Sequence, residues 1–374
     1  MEFDEYAGKR LIGALGLPLL PGRHCLTAVE VRAAAEAIGP CVVKAQVAAG
    51  KRGKAGGIRF ASTPDEAVSA AEAILASRIV GQNVRSVFVE ARADIAQEFY
   101  AAVISDPATK GPLLILSGEG GMDIEEIAAR DPANVRRFAV KIEAGLDPNA
   151  LQTLTAGLSP FALSRDLARF VAQLYAAWRA LDAELLEINP LALLKDGRFV
   201  ALDCKLTIDD ASLARQLDAA ALAPPQPMTE REARGLGHGL KYIELDGNVG
   251  VLANGAGLTM TTMDLVTHFG GRPANFLEIG GEAYTKAKPA LELVLSKPGV
   301  RSLIVNFCGA FARTDVMADG VTLAWRALNP NVPVFFSIHG TGDEAARQIV
   351  RDRLGLECFE FSEDAVRTAV EAAR

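Results

Sequence analysis

The sequence predicts an α/β protein of two domains, and three observations carry that reading. Strand-like and helix-like segments alternate through the first half. Three prolines crowd the stretch Ala220 to Glu230, AALAPPQPMTE, where they disfavour helix and sheet interior alike. Beyond them, short apolar strands each lead into a loop and a helix-like segment, the rhythm of an open parallel sheet covered on both faces. The 374 residues exceed one typical core and suit two or three domains.

In order along the chain, EYAGKRLIGALG predicts an amphipathic helix stopped by Gly16 and Pro18. CVVKAQV is a short β-branched strand, followed by AAGKRGKAGG, too rich in glycine for regular structure. GGIRFA predicts a second strand. TPDEAVSAAEAILAS has a threonine cap, an early proline and acidic residues ahead of alanines, as a helix start should. SVFVEA, EFYAAVIS and GPLLILSG predict strands, and Leu163 to Leu181 a long helix. LLEINPLALL and RFVALDCKL predict a hairpin around Lys195, Asp196, Gly197 and Arg198. After the prolines come the strands VGVLAN, PANFLEI, RSLIVNF, VPVFFSI and LECFEF. In such sheets ligands bind beyond the carboxyl ends of the strands, and the loops NGAG, GGEAYTK, FCGAFARTD and HGTGDE lie there.

Composition excludes several classes. Half the residues are apolar and 23% charged, so the chain is globular rather than disordered. A net charge of −7 supplies no general attraction to nucleic acid or an anionic membrane. No apolar run approaches the roughly 20 residues of a membrane span, and the acidic start MEFDEYAGKR is no signal peptide. Five scattered cysteines, none in a C-x-x-C pair, point to reduced thiols and a cytoplasmic setting. His24, His238, His268 and His339 lack metal-ligand spacing, which argues against zinc; His339 reads as a loop residue.

Four constellations could carry chemistry. The loop after the strand bearing Lys44 holds Lys51, Arg52 and Lys54 among glycines, and could fold over a triphosphate. It is not a Walker A motif, and a solvated basic loop would look the same. Glu90 and Glu98 could hold ribose hydroxyls or an adenine amine, or be ordinary surface charge. Glu187, Asn189 and Asp203 converge if the hairpin forms, with Glu187 and Asn189 on one face of the strand. Asn189 and Asp203 suit Mg²⁺ completed by phosphate and water, or are plain hairpin decoration. NGAGLTMTTMDLV sets a glycine turn before a helix bearing Thr259, Thr261 and Thr262 near its start, with Asn254 placed to donate to a carboxylate. A tight turn needed only for packing reads equally well.

Taken together in order and spacing, VVKAQV-AAGKRGKAGG, VEARADIAQEFY, LEINPLALL, ALDCKL, LDGNVGVLANGAGLTMTTMDLV and GGRPANFLEIGG resemble the β subunit of the succinyl-CoA synthetase (succinate–CoA ligase) family across almost the whole chain. The resemblance implies an ATP-grasp domain of two α+β subdomains over residues 1–225, and a flavodoxin-like open parallel α/β CoA-ligase domain over 240–374. It implies a nucleotide-dependent ligation of a small dicarboxylate to CoA, with Mg²⁺ and ATP/ADP or GTP/GDP. The partner would be an α subunit carrying a phosphorylated histidine, in a heterodimer or heterotetramer. By motif, Lys44, Lys51, Arg52, Gly53, Glu90, Ala93 and Glu98 would contact nucleotide, and Asn189 and Asp203 would hold Mg²⁺. Glu187 would orient the incoming histidine, and Asn254 with Ala310, Phe311 and Ala312 would face the acid.

The chain departs from the family pattern at three places. GKRGKAGG replaces GGRGKAGG, which adds charge. Glu282 stands where a third glycine is usual, and a carboxylate there would repel a nearby phosphate. The substrate loop, commonly GGIVRCD-like, reads GAFARTD, which changes the pocket. Malate or a methylsuccinate-like acid is therefore an alternative to succinate, since one pocket change shifts specificity by about 1–3 kcal/mol. Two further readings remain open at this level: a self-sufficient ATP-grasp ligase without phosphohistidine, and a non-catalytic nucleotide-binding scaffold.

Overall fold

The computed structural model describes residues 1–47, 52–53, 55–79, 81–223, 228–280 and 283–374. Lys51 and Lys54 of the basic loop, Pro224, Pro225 and Pro227 of the interdomain stretch, and Gly281 and Glu282 lie outside the described residues. The chain divides into two compact units, Met1–Pro225 and Gln226–Arg374.

The first unit holds two larger antiparallel sheets and a short two-stranded one, Arg78–Ile79 with Gln82–Asn83. Four strands pair in the order Gly22–Cys25, Val87–Ala91, Cys41–Ala45, Ile58–Ala61. The helices Ala28–Ile38 and Pro64–Leu75 cover this sheet through Val31, Ala34, Ala67, Ala71 and Ile74, and the three alanines let helix and sheet approach closely. Thr27 opens the first helix in a reciprocal box with Glu30, and Thr63 caps the second as its sequence predicts. The second sheet runs Phe199–Ala201, Ala183–Leu194, Ile95–Asp106, Gly111–Ser117, Val135–Ala139, with Lys205–Ile208 also paired to Ala183–Leu194. Its core gathers Phe99, Val103, Leu114, Leu186 and Ile188 against Leu167, Phe170 and Leu174 of the long helix Ser164–Ala180. The amphipathic helix Glu5–Ala14 joins this core through Ala7, Leu11 and Ile12.

The hairpin around Lys195–Arg198 forms, but its return strand is split. Phe199–Ala201 and Lys205–Ile208 both pair with Ala183–Leu194, and residues 202–204 leave the ladder. The register survives the break: Leu191 faces Ala201 and Glu187 faces Lys205, which sets Asn189 opposite Asp203. Against the neighbouring strand, Ile188 faces Ala101 and Leu191 faces Phe99. Asn189 and Pro190 together therefore oppose the single residue Tyr100, a bulge of the kind that re-aims side chains beside functional sites.

In the second unit the parallel strands Val249–Ala253, Ser302–Gly309 and Val334–Gly340 lie in that order. Single parallel bridges extend the sheet, Val249 to Pro273 and Ala253 to Glu278 on one edge and Ser337 to Phe359 on the other. The resulting order is the flavodoxin-like one. Two expected strands are reduced. PANFLEI contributes only Asn275–Leu277, which pairs antiparallel with Tyr242–Glu244. LECFEF contributes only the Phe359 bridge, and Glu357 and Glu360 on either side of it pair with Arg351 and Arg347 of the preceding helix. Leu291, Met317 and Ala346 from three helices bury one face of the sheet, and Val266, Val366 and Val370 from two others the opposite face. Coverage on both sides explains why VGVLA is apolar at every position. No helix among the described residues is long and apolar enough to cross a membrane.

Candidate functional site

Lys44 stands in the strand Cys41–Ala45 with its side chain buried. Its Nζ donates to Glu5 Oε1 at 2.8 Å, to Glu90 Oε2 at 2.7 Å and to the Leu202 carbonyl at 2.5 Å. Lys9 shares the same acceptors, reaching Glu90 Oε1 at 2.5 Å, Leu202 O at 2.9 Å and Glu5 Oε1 at 3.0 Å. Arg52 pairs with Asp203 Oδ1 and lies 3.1 Å from Glu5 Oε2. Three cations thus meet three carboxylates, and the buried charges are compensated. Burial opposes the charge on Lys44, but Glu5, Glu90 and Asp203 outweigh it and hold its ammonium above the ordinary lysine range. Burial likewise raises Glu5, and Lys44, Lys9 and Arg52 overcome it, so the carboxyl sits below its ordinary range.

The split hairpin carries the second group. The Asn189 side chain is engaged at both ends: Oδ1 accepts from the Gly121 amide at 2.8 Å and Nδ2 donates to Met122 O at 2.9 Å. It pins the loop 118–123 onto the sheet. Gly120 is required there, since a Cβ at that position would stand 2.2 Å from Phe99 O. Glu98 is half-buried beneath this loop, and burial raises its carboxyl above the usual range. Glu187 accepts a 3.0 Å hydrogen bond from the Tyr100 hydroxyl. Burial raises its carboxyl; the bond from Tyr100 and the charge of Lys205 pull the other way, while Asp203 and Asp123 add to the rise.

Asn189 and Asp203 offer an amide and a carboxylate oxygen, hard donors that fit Mg²⁺ when phosphate and water complete the shell. Asp203 keeps a third of its side chain exposed, and its Oδ1 carries Arg52 and the Cys204 amide. No group of three or more His, Cys, Asp or Glu suited to a metal occurs among the described residues, so a cation here would rely on outside ligands. Of the other expected nucleotide contacts, Ala93 packs with Leu20, Ile95 and Leu202 against Ala192, Leu194 and Val200. Gly53 is exposed, and a Cβ there would meet only Ile58 at 3.6 Å.

In the second unit, Asn254 does not stand free toward a carboxylate as expected. Its Oδ1 accepts from the Cys308 amide at 2.7 Å and its Nδ2 donates to Cys308 O at 2.9 Å. It mimics a strand neighbour and fixes the start of the substrate-loop candidate. The helix Ala256–His268 starts three residues before Thr259, and the hydroxyls of Thr259 and Thr262 donate back to Gly255 O and Leu258 O. His339 lies within the strand Val334–Gly340 rather than in a loop. Ala310 is exposed, Phe311 is fully exposed at 105%, and Ala312 tucks against the core.

Sequence reasoning missed Glu5, Lys9, Tyr100 and the loop glycines. Glu5 and Lys9 are spaced four apart on a helix, which signals an ion pair but not its burial.

Comparison with known proteins accords with this architecture. An ATP-grasp domain profile matches residues 2–193, and a CoA-ligase profile matches residues 252–371. The succinate–CoA ligase [ADP-forming] subunit beta of Rubrobacter xylanophilus is 43% identical over 380 residues, covering 100% of this chain and 99% of that protein. The succinate–CoA ligase [GDP-forming] subunit beta of Thermus thermophilus is 39% identical and covers 94% of each. Among solved structures, ATP citrate lyase from Methanothrix soehngenii in complex with citrate and coenzyme A superposes with a TM-score of 0.79 at 20% identity, covering 99% of both chains; at that identity the likeness is one of fold. With an ATP-grasp unit, a flavodoxin-like CoA-ligase unit and full-length relatives of this identity, the chain belongs to the succinate–CoA ligase β-subunit family.

Proposed function

We propose that this chain is the nucleotide-binding subunit of an NDP-forming acid–CoA ligase, acting on a small dicarboxylate together with an α subunit whose histidine carries the phosphoryl group. The observation that supports the nucleotide role is the meeting of Lys44, Arg52, Glu90 and Asp203 in one buried cluster, next to Asn189. Residues 1–225 form the nucleotide-binding domain and 240–374 the CoA-ligase domain.

In this reading Lys44, Lys51, Arg52 and Gly53 take the phosphate oxygens. Arg52 leaves Asp203 to do so, which frees a carboxylate oxygen. Bound Mg²⁺, held by Asn189 and Asp203, would neutralise phosphate charge during transfer. The apolar surface around Ala93 receives the purine, and Glu90 and Glu98 complete the nucleotide contacts. Glu187 orients the partner's histidine at the end of the phosphate chain. Asn254 and residues 310–312 face the acid, whose carboxylate becomes a competent acyl donor only once phosphorylated. The subunits work in the cytoplasm, as a heterodimer or heterotetramer. Succinate is the first candidate acid; malate or a methylsuccinate-like acid is the alternative, because Ala310, Phe311 and Ala312 together replace the usual loop residues.

Co-expression with a candidate α subunit, followed by an acid panel run with CoA and either ATP or GTP, tests the proposal. The expected outcome is a phosphorylated histidine on the partner and NDP release with at least one dicarboxylate. Asp203→Ala is expected to abolish turnover while the subunits still co-purify. No NDP release with any acid would defeat the enzyme reading, and unchanged turnover in Asp203→Ala would remove Asp203 from the metal site.

A further inference from the structure

Tyr100 is a buried phenol, 3% exposed, in the central strand Ile95–Asp106. It shares a sheet face with Glu98, two residues earlier. It is also the single residue facing the two-residue bulge Asn189–Pro190. Its hydroxyl donates to Glu187 Oε2 at 3.0 Å. The placement has three features that core packing alone does not call for. A leucine or phenylalanine would fill the position, yet a hydroxyl is buried and spent on one carboxylate. That carboxylate lies two residues before Asn189, the residue that ties the loop 118–123 to the sheet. The bulge is what sets Tyr100 across from this stretch of the hairpin.

We propose that Tyr100 is a positioning residue for Glu187, fixing the rotamer of the carboxylate that receives the partner's histidine. The proposal rests on the role assigned to Glu187 above. A carboxylate on a two-carbon stem has several staggered rotamers, and phosphoryl transfer depends on holding the acceptor in line. A hydroxyl donor anchored in the strand selects one rotamer and leaves Glu187 Oε1 to meet an incoming imidazole N–H. Burial raises the Tyr100 phenol well above its ordinary range, with the Glu187 charge adding to it, so the group stays a donor near neutral pH.

The test is a double-mutant cycle on the complex with its α subunit, using Tyr100→Phe, Glu187→Ala and the pair. The rate of phosphoryl transfer from γ-labelled Mg-ATP to the partner's histidine is measured, with Mg-ADP affinity by titration and melting temperature as controls. Tyr100→Phe is expected to slow transfer about tenfold, the loss expected of one hydrogen bond to a charged group. Nucleotide affinity should stay within about twofold, because Glu187 does not hold the nucleotide. In the Glu187→Ala background, which has no acceptor for the Tyr100 hydroxyl, the same change should have no further effect. Transfer at the wild-type rate in Tyr100→Phe overturns the proposal. So does an equal factor in both backgrounds, which would mark a purely structural role. If Glu187→Ala itself transfers at the wild-type rate, the assignment of Glu187 fails, and the positioning role fails with it.

Discussion

At Glu5, one carboxylate with a fully buried side chain stands within 3.1 Å of the cationic groups of Lys9, Lys44 and Arg52. Removing it would leave more positive than negative charge in a dry site. Glu5→Ala is therefore expected to cost about 3–5 kcal/mol of stability, the usual penalty for stranding buried partners. The pH dependence follows from the direction of the shifts. Glu5 is held below the ordinary carboxyl range, so its contribution is complete above about pH 4.3 and is lost as pH falls through the folded value. Lys44 is held above the ordinary lysine range, so its contribution is complete below about pH 10.4 and is lost as pH rises through the folded value. Between about pH 6 and pH 3 the melting temperature of the wild type should fall further than that of Glu5→Gln; parallel falls would show that Glu5 titrates normally. The sequence displayed Glu5 and Lys9 as an ordinary helical pair. Only the arrival of the strands bearing Lys44 and Glu90 turns that pair into the centre of a buried network.

At the scale of elements, the loop 118–123 and the split hairpin are built against each other. Gly120 touches the backbone of Phe99, and Asn189 holds the two residues that follow Gly120. Gly120→Ala puts a methyl 2.2 Å from a carbonyl oxygen that cannot move without disturbing the central strand. The expected result is a displaced loop, a stability loss of about 1–3 kcal/mol and weaker Mg-nucleotide binding, read by melting and by titration. Unchanged binding would show that the loop plays no part in the site. The hairpin itself was legible from LEINPLALL, the turn Lys195–Arg198 and RFVALDCKL. Its break at residues 202–204 was not, because no local propensity reports that two short segments will share one partner strand. Nor was the reduction of LECFEF to a single bridge at Phe359, since an alternating apolar pattern does not report how far a neighbouring strand will pair with it.

At the scale of the molecule, each unit has cores of its own. A nucleotide held by the first unit should stabilise it by about 2.7 kcal/mol at a hundredfold excess over Kd. Hydrogen exchange with and without Mg-nucleotide measures this. New protection is expected in Cys41–Ala45, Ile95–Asp106 and Ala183–Leu194, the strands that carry Lys44, Glu98, Glu187 and Asn189. Protection appearing only in Val249–Ala253 and Ser302–Gly309 would place the nucleotide elsewhere.

By itself the sequence determined the α/β class, most strands and helices, the family, and the order of the site motifs, because hydrophobic period, caps, turns and motif order are local properties of the chain. The tertiary structure alone decided which charges are buried together, that Asn189 and Asn254 spend their amides on backbone groups, and that Tyr100 meets Glu187. Those outcomes depend on contacts between residues 39 to 151 positions apart, and on how much water the packed strands exclude. No window along the chain holds that information.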